Sequence, residues 1–121
     1  MLRPPPVLLV QLKRFKNVEG QWKKQHTLVD FPLENLDVAP YLMDWEFASK
    51  LNLSSKYDLC GIVNHFGSLT FGHYISVVRN PYEDKWYKYD DQNRIPIPAD
   101  QISKQNAYIL FYVRKDALEK Q

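Results

Sequence analysis

"FGHYISVVRNPYEDKWYKYDD", Phe71 to Asp91, decides the fold. His73 opens an aromatic and β-branched run, Tyr74-Ile75-Ser76-Val77-Val78, which reads as a strand. Arg79 to Asp84 contains Asn80-Pro81 and two acidic residues, so it reads as a turn. Lys85-Trp86-Tyr87-Lys88-Tyr89 reads as a second strand, rich in aromatic residues. Folded as an antiparallel hairpin, the two runs have their midpoint near Pro81 and Tyr82. His73 and Asp90 are equidistant from it, so the open end is expected to set an imidazole beside a carboxylate. A carboxylate can hold a histidine in one tautomer and leave its other ring nitrogen free to take a proton. These are two of the three members of a nucleophile–base–orienter site. Such a pair is more often structural, but two details favour chemistry. Gly72 lets a chain pass close to the imidazole. Asp90-Asp91 is a doublet at a sheet end, where a structural strand seldom needs two adjacent carboxylates.

The rest of the chain surrounds this hairpin with further strands. Pro4-Pro5-Pro6 is stiff and extended and cannot lie inside a helix. "VLLVQLKRF", Val7 to Phe15, predicts a buried strand that surfaces at its end. Asn17 to Gly20 is a turn signal, and Trp22 to Val29 suits a returning strand. Val29 to Val38 contains a proline and many polar residues, and reads as a loop with short extended pieces. Ala39 to Leu51 has room for a short helix. "KYDLCGIVNHFG", Lys56 to Gly67, is a strand, with Tyr57, Leu59, Gly61 and Val63 on one face and Asp58, Cys60, Ile62 and Asn64 on the other. Phe66 to Gly72 reads as a loop. "IPIPADQI" reads as a turn that starts one helical turn at Pro98. Ala107 to Lys115 is the last strand, and residues 116–121 are expected to fray. The expected fold is mostly β with little helix, an α+β chain built on an antiparallel sheet, within one domain spanning 1–121.

Composition agrees. A chain of 121 residues suits one domain with a modest core, and 45% hydrophobic with 14% aromatic residues argues for a globular chain. Sixteen basic and 14 acidic residues leave a net charge of +2, too balanced to indicate nucleic acid. No apolar run approaches the ~20 residues that span a bilayer, and Met1 to Pro6 has no signal-peptide core. A single cysteine, Cys60, excludes an internal disulfide and leans towards an intracellular compartment, cytoplasm or nucleus.

Cys60 is also the one cysteine available as a nucleophile, but it lies in an apolar strand, where free cysteine acts as a small hydrophobe. His26, His65 and His73 fit no zinc spacing, so neither a metal nor another cofactor is expected. Lys13, Lys16, Lys23 and Lys24 read as a solvated strand face.

Six blocks in order, "LLVQLKRF", "LVDFPLENLDV", "YDLCGIVNHFG", "FGHYISVVRN", "WYKYDD" and "AYILFYVRK", resemble the C-terminal part of the catalytic domain of ubiquitin-specific proteases. The similarity runs from about Pro6 to Lys115. The resemblance implies a papain-like cysteine protease fold described as a hand, of which this chain is the palm sheet without thumb and fingers. It implies a hydrolase that cleaves after the C-terminal glycine of ubiquitin, with ubiquitin or ubiquitinated proteins as partners. His73 is then the general base, Asp90 its orienting carboxylate, and Asp91 a group that polarises the site or positions a water. Phe66 to Gly72 resembles the loop bordering the ubiquitin-tail channel. Gly72 and Tyr74 are implied to line that channel, with His65 and Phe15 beside it. The family's Gly-Asn-x-Cys nucleophile box and its zinc-binding Cys-x-x-Cys pairs do not occur in this sequence, and Phe71-Gly72-His73-Tyr74 stands where the family usually has Gly-Gly-His-Tyr. The expectation is half an active site, inactive alone, with an exposed apolar patch that packs against the missing N-terminal Cys-bearing half of the catalytic domain, whether a separate chain or a part removed, or else against a second copy of itself. The alternative is a non-catalytic module that binds ubiquitin or a scaffold.

Overall fold

The computed structural model describes residues 4–25, 29–42, 45–51, 53–67, 71–105 and 107–119. Among the described residues, nine strands follow in chain order: β1 (Val7–Gln11), β2 (Phe15–Val18), β3 (Gln21–Lys24), β4 (Leu36–Asp37), β5 (Lys56–Gly67), β6 (Gly72–Asn80), β7 (Lys85–Asp90), β8 (Asn93–Ile97) and β9 (Ala107–Arg114). Helix among the same residues is α1 (Trp45–Lys50), α2 (Lys115–Glu119) and two 3-10 segments, Ala39–Tyr41 and Ala99–Lys104. The main sheet has the order β1-β9-β5-β6-β7-β8, with β4 paired to β5, and β2 and β3 form a separate hairpin. The pairs β4–β5, β5–β6, β6–β7, β7–β8 and β2–β3 are antiparallel. The fold is therefore mostly antiparallel β with little helix, as the aromatic and β-branched runs predict.

The contacts divide the chain into two compact units. The first comprises Met1–Leu9, Pro32–Cys60 and Phe111–Gln121. Its core holds Val38, Tyr57, Leu59, Tyr112 and Val113. The proline run anchors here for a chemical reason: prolines bring carbonyl acceptors but no N–H donors. Arg114 Nη1 donates to Pro4 O at 2.7 Å, the Tyr57 hydroxyl donates to Pro5 O, and Arg114 N donates to Pro6 O at 2.9 Å. Tyr112 OH donates to Pro32 O at 2.8 Å. Burial pushes both tyrosine hydroxyls up to about 12, so they stay protonated donors. Cys60 Sγ donates to Phe111 O at 3.3 Å, in keeping with a structural thiol.

The second unit comprises Val10–Phe31 and Gly61–Leu110 and carries the hairpin. Ile62, Ile75, Val77, Trp86, Ile102 and Leu110 are buried in it. Asn64 Nδ2 donates to Gln105 Oε1 at 2.9 Å, which ties the segment after the second 3-10 turn to β5.

Five expectations change. Val7 and Leu9 are 55% and 54% exposed, because β1 is an edge strand with alternating exposure and not a buried run. Buried positions in β5 are odd-numbered as far as Gly61 and then include Ile62, Asn64 and His65, so one strand does not keep one apolar face. Phe66, Gly67 and Gly72 belong to strands, not to the loop between them. Asn93–Ile97 is a strand despite Pro96: at a sheet edge the missing N–H costs no ladder bond. Of the C-terminal segment, Lys115–Glu119 is helical, with Asp116 paired to Arg114 and accepting from Ser54 N at 3.3 Å, and residues 120–121 lie outside the described residues.

Candidate active site

β6 and β7 pair with Ser76 opposite Tyr89, Val78 opposite Tyr87 and Asn80 opposite Lys85. Continuing that register sets Ile75 opposite Asp90, so the hairpin is offset by two residues from the symmetric expectation. Pro81 explains the offset. A two-residue hairpin turn needs φ above zero at its first position, and proline is locked near −65°. The turn therefore widens to Pro81–Asp84, with Asp84 taking the left-handed φ of 53°. A slip of two residues preserves the face that each side chain occupies. His73 and Asp90 are diagonal neighbours on one face, a separation that side chains bridge.

His73 Nε2 lies 3.0 Å from Asp90 Oδ1. The side chains are 51% and 36% exposed, so the pair stands at an open sheet end and not in a core. A carboxylate only accepts hydrogen bonds, so in the neutral ring the bond assigns the imidazole proton to Nε2 and leaves the lone pair on Nδ1. Asp91 follows immediately in the two-residue turn between β7 and β8, with φ of 54°. Aspartate tolerates that conformation better than most residues, which gives the doublet a structural reason on its second member.

On the opposite face of β6 lies a different histidine. His65 pairs with Tyr74 across β5–β6 and is buried, only 4% exposed. Its ring sits 4.9 Å from that of Tyr74, 5.4 Å from Phe15 and 5.6 Å from Tyr108. Burial, with Lys24 nearby, holds its pKa below the ordinary histidine value. Among the described residues its Nδ1 has no hydrogen-bond partner. Lys24 is not the solvated lysine expected from the sequence. Its ammonium donates to His65 O, and burial and Arg14 lower its pKa. Arg14 itself is buried, with Nε donating to Ala107 O at 3.0 Å.

The structure thus separates the sequence-derived residues into two groups. His73, Asp90 and Asp91 gather at one sheet end, while His65, Phe15, Tyr74 and Gly72 form an aromatic cluster behind it. Tyr74 is 59% exposed, and Phe71 turns outward at 85% exposure. Tyr108 joins the cluster without a local signal: "AYILFYVRK" announces a strand, and the partner of a strand residue is a tertiary matter. His26 lies outside the described residues. Among the described residues no cluster of histidine, cysteine and carboxylate side chains could hold a metal ion, and no helix is long and apolar enough to cross a membrane.

Residues 1–112 match the family described as ubiquitin carboxyl-terminal hydrolase. Human ubiquitin carboxyl-terminal hydrolase 15 is 38% identical over 112 residues, which cover 93% of this chain and 11% of that protein. Human ubiquitin carboxyl-terminal hydrolase 43 is 33% identical over 132 aligned positions, covering 94% of this chain and 12% of that protein. Among solved structures, the SAGA DUB module of Ubp8, Sgf11, Sus1 and Sgf73 bound to monoubiquitin superposes with a TM-score of 0.78 at 31% identity, over 92% of this chain and 24% of the matched chain. The chain thus spans about a tenth of the length of the curated relatives it matches. With the six ordered sequence blocks, the antiparallel sheet and the His73–Asp90 pair all pointing the same way, the chain belongs to the ubiquitin carboxyl-terminal hydrolase family.

Proposed function

We propose that this chain supplies the general base and its orienting carboxylate to a thiol-dependent hydrolase that cuts the bond after the C-terminal glycine of ubiquitin. The observation that carries the proposal is the 3.0 Å contact between His73 Nε2 and Asp90 Oδ1, which leaves Nδ1 as the basic nitrogen. A cysteine from polypeptide outside this sequence gives its thiol proton to Nδ1, forming a thiolate–imidazolium pair. The thiolate attacks the glycine carbonyl, the imidazolium protonates the leaving amine, and water then hydrolyses the acyl-enzyme. Asp90 stabilises the imidazolium throughout, and Asp91, fixed in its turn, positions the water. The tail of ubiquitin runs beside Tyr74, whose exposed ring is backed by His65 and Phe15, and passes the side-chain-free Gly72. Support comes from the family match and from a related module solved with monoubiquitin.

The chain alone is inactive in this reading, because its one cysteine lies in β5 and bonds to Phe111 O. The test is a fluorogenic amide at the ubiquitin C-terminus. Turnover is expected only after the Cys-bearing part of a catalytic domain is added. Turnover by this chain alone, or none after complex formation is verified by gel filtration, sinks the proposal.

A further inference from the structure

His65 has a second consequence for the proposed base. Side chains alternate along a strand, so Gly72 and Tyr74 share one face of β6 and His73 takes the other. The His65 ring touches both residues that flank His73. It lies 4.9 Å from the Tyr74 ring, and a Cβ built on Gly72 would come within 2.0 Å of His65 Nε2. No ordinary contact is that short, so the ring fills the space any side chain at position 72 would need. The ring cannot retreat: Phe15 packs edge-on against it and Tyr108 stands at 5.6 Å. Lys24 holds the backbone carbonyl of the same residue.

We propose that His65 is the positioning residue of the His73–Asp90 pair: its ring, walled in by Phe15 and Tyr108, grips Gly72 and Tyr74 on one face of β6 and thereby fixes the imidazole between them on the other. The proposal rests on the functional reading above for its purpose, but its geometry is testable in this chain without any turnover. His65 Nδ1 is buried and has no hydrogen-bond partner among the described residues. A phenyl ring is apolar and somewhat larger than imidazole, so His65→Phe keeps a ring against Gly72 and Tyr74 while removing both nitrogens.

The test is an imidazole ¹H–¹⁵N correlation spectrum of His73 in the isolated chain, read alongside backbone amide spectra. In the wild type, His73 is expected in the Nε2–H tautomer with a downfield, hydrogen-bonded ring proton. His65→Ala should abolish that ring-proton signal and mix the tautomers, while β7–β8 amides stay dispersed. His65→Phe should keep the signal, which separates positioning by shape from any need for the His65 nitrogen. Gly72→Ala should cause the same loss as His65→Ala, and the double variant should be no worse than His65→Ala alone, because the clash has been removed. An unchanged His73 ring signal in either single variant, or two independent, additive losses, overturns the proposal. If His65→Ala does not fold, Gly72→Ala carries the decision alone: loss of the ring signal with intact β7–β8 amides supports it, and retention overturns it. Failure of the turnover assay leaves these spectra untouched, so the two readings fail separately.

Discussion

The two ends of the β6–β7 hairpin use the same kinds of residue for opposite purposes. At the turn, polar groups are tied off locally. Asn80 Oδ1 accepts from Tyr82 N at 2.9 Å, and Asp84 N donates to Asn80 O at 2.8 Å. Arg79 Nη2 reaches Asp84 Oδ1 at 2.6 Å, and Tyr87 OH donates to Glu83. Partners five or fewer residues apart close a loop and leave little capacity unused. At the open end, His73 and Asp90 are 17 residues apart in sequence and meet across two strands through one bond. One ring nitrogen is left over. The turn uses its polar groups for shape, whereas the open end leaves one ring nitrogen outside the pair. A cleft of about 470 Å³ beside Trp86, Pro96 and Pro98 belongs to the turn end.

The contrast breaks most visibly at His73. In the complemented enzyme, His73→Ala should lower turnover by about 10³-fold or more, the scale of a general base, while the thermal midpoint moves little. Retention of most of the rate would reduce the open end to a second structural pair. Asp90→Asn keeps an acceptor but loses the charge that stabilises the imidazolium. The expected drop is about 10- to 100-fold, the rate equivalent of one charge-assisted hydrogen bond, seen in kcat more than in KM.

At the other end the signs reverse. Asn80→Ala removes the side-chain acceptor for the turn backbone and should cost about 1 kcal/mol, measured as a lower urea midpoint. Turnover in the complemented enzyme should stay unchanged, and a large loss of rate would show that the two ends are coupled. The smallest effect concerns pH. His65 has its folded-state pKa held below the ordinary 6.5 by burial and by Lys24. The groups around it are cationic or neutral: Lys24, Arg14 behind it, Tyr74 and Tyr108. The unfolded chain therefore binds a proton near that ordinary value while the folded chain does not. The stability is complete above the ordinary value and declines as pH falls from there towards the folded one. Thermal midpoints from about pH 7.5 down to about pH 5.5 should fall in the wild type and flatten in His65→Phe. Equal slopes would place the protonation elsewhere.

The strands were legible because a period of two and runs of Val, Ile, Tyr and Trp declare themselves locally. The His73–Asp90 contact was legible because both residues flank one hairpin, and a two-residue error in register leaves side chains on the correct face. β8 was hidden by Pro96, which local rules count against a strand and which only an edge position excuses. The β1 side chains looked buried because apolar content does not say whether another layer covers them.

By itself, then, the amino-acid sequence determined most of the extended segments and which imidazole and carboxylate belong together, since these follow from residues within one hairpin or one strand. Tertiary structure alone decided which strand lies at an edge, how far Pro81 widens the turn, and that His65, Phe15 and Tyr108 meet behind Gly72. Those contacts join residues up to 93 positions apart, as Arg14 and Ala107 are. Packing between such distant segments depends on the space left by every other side chain, which no local pattern encodes.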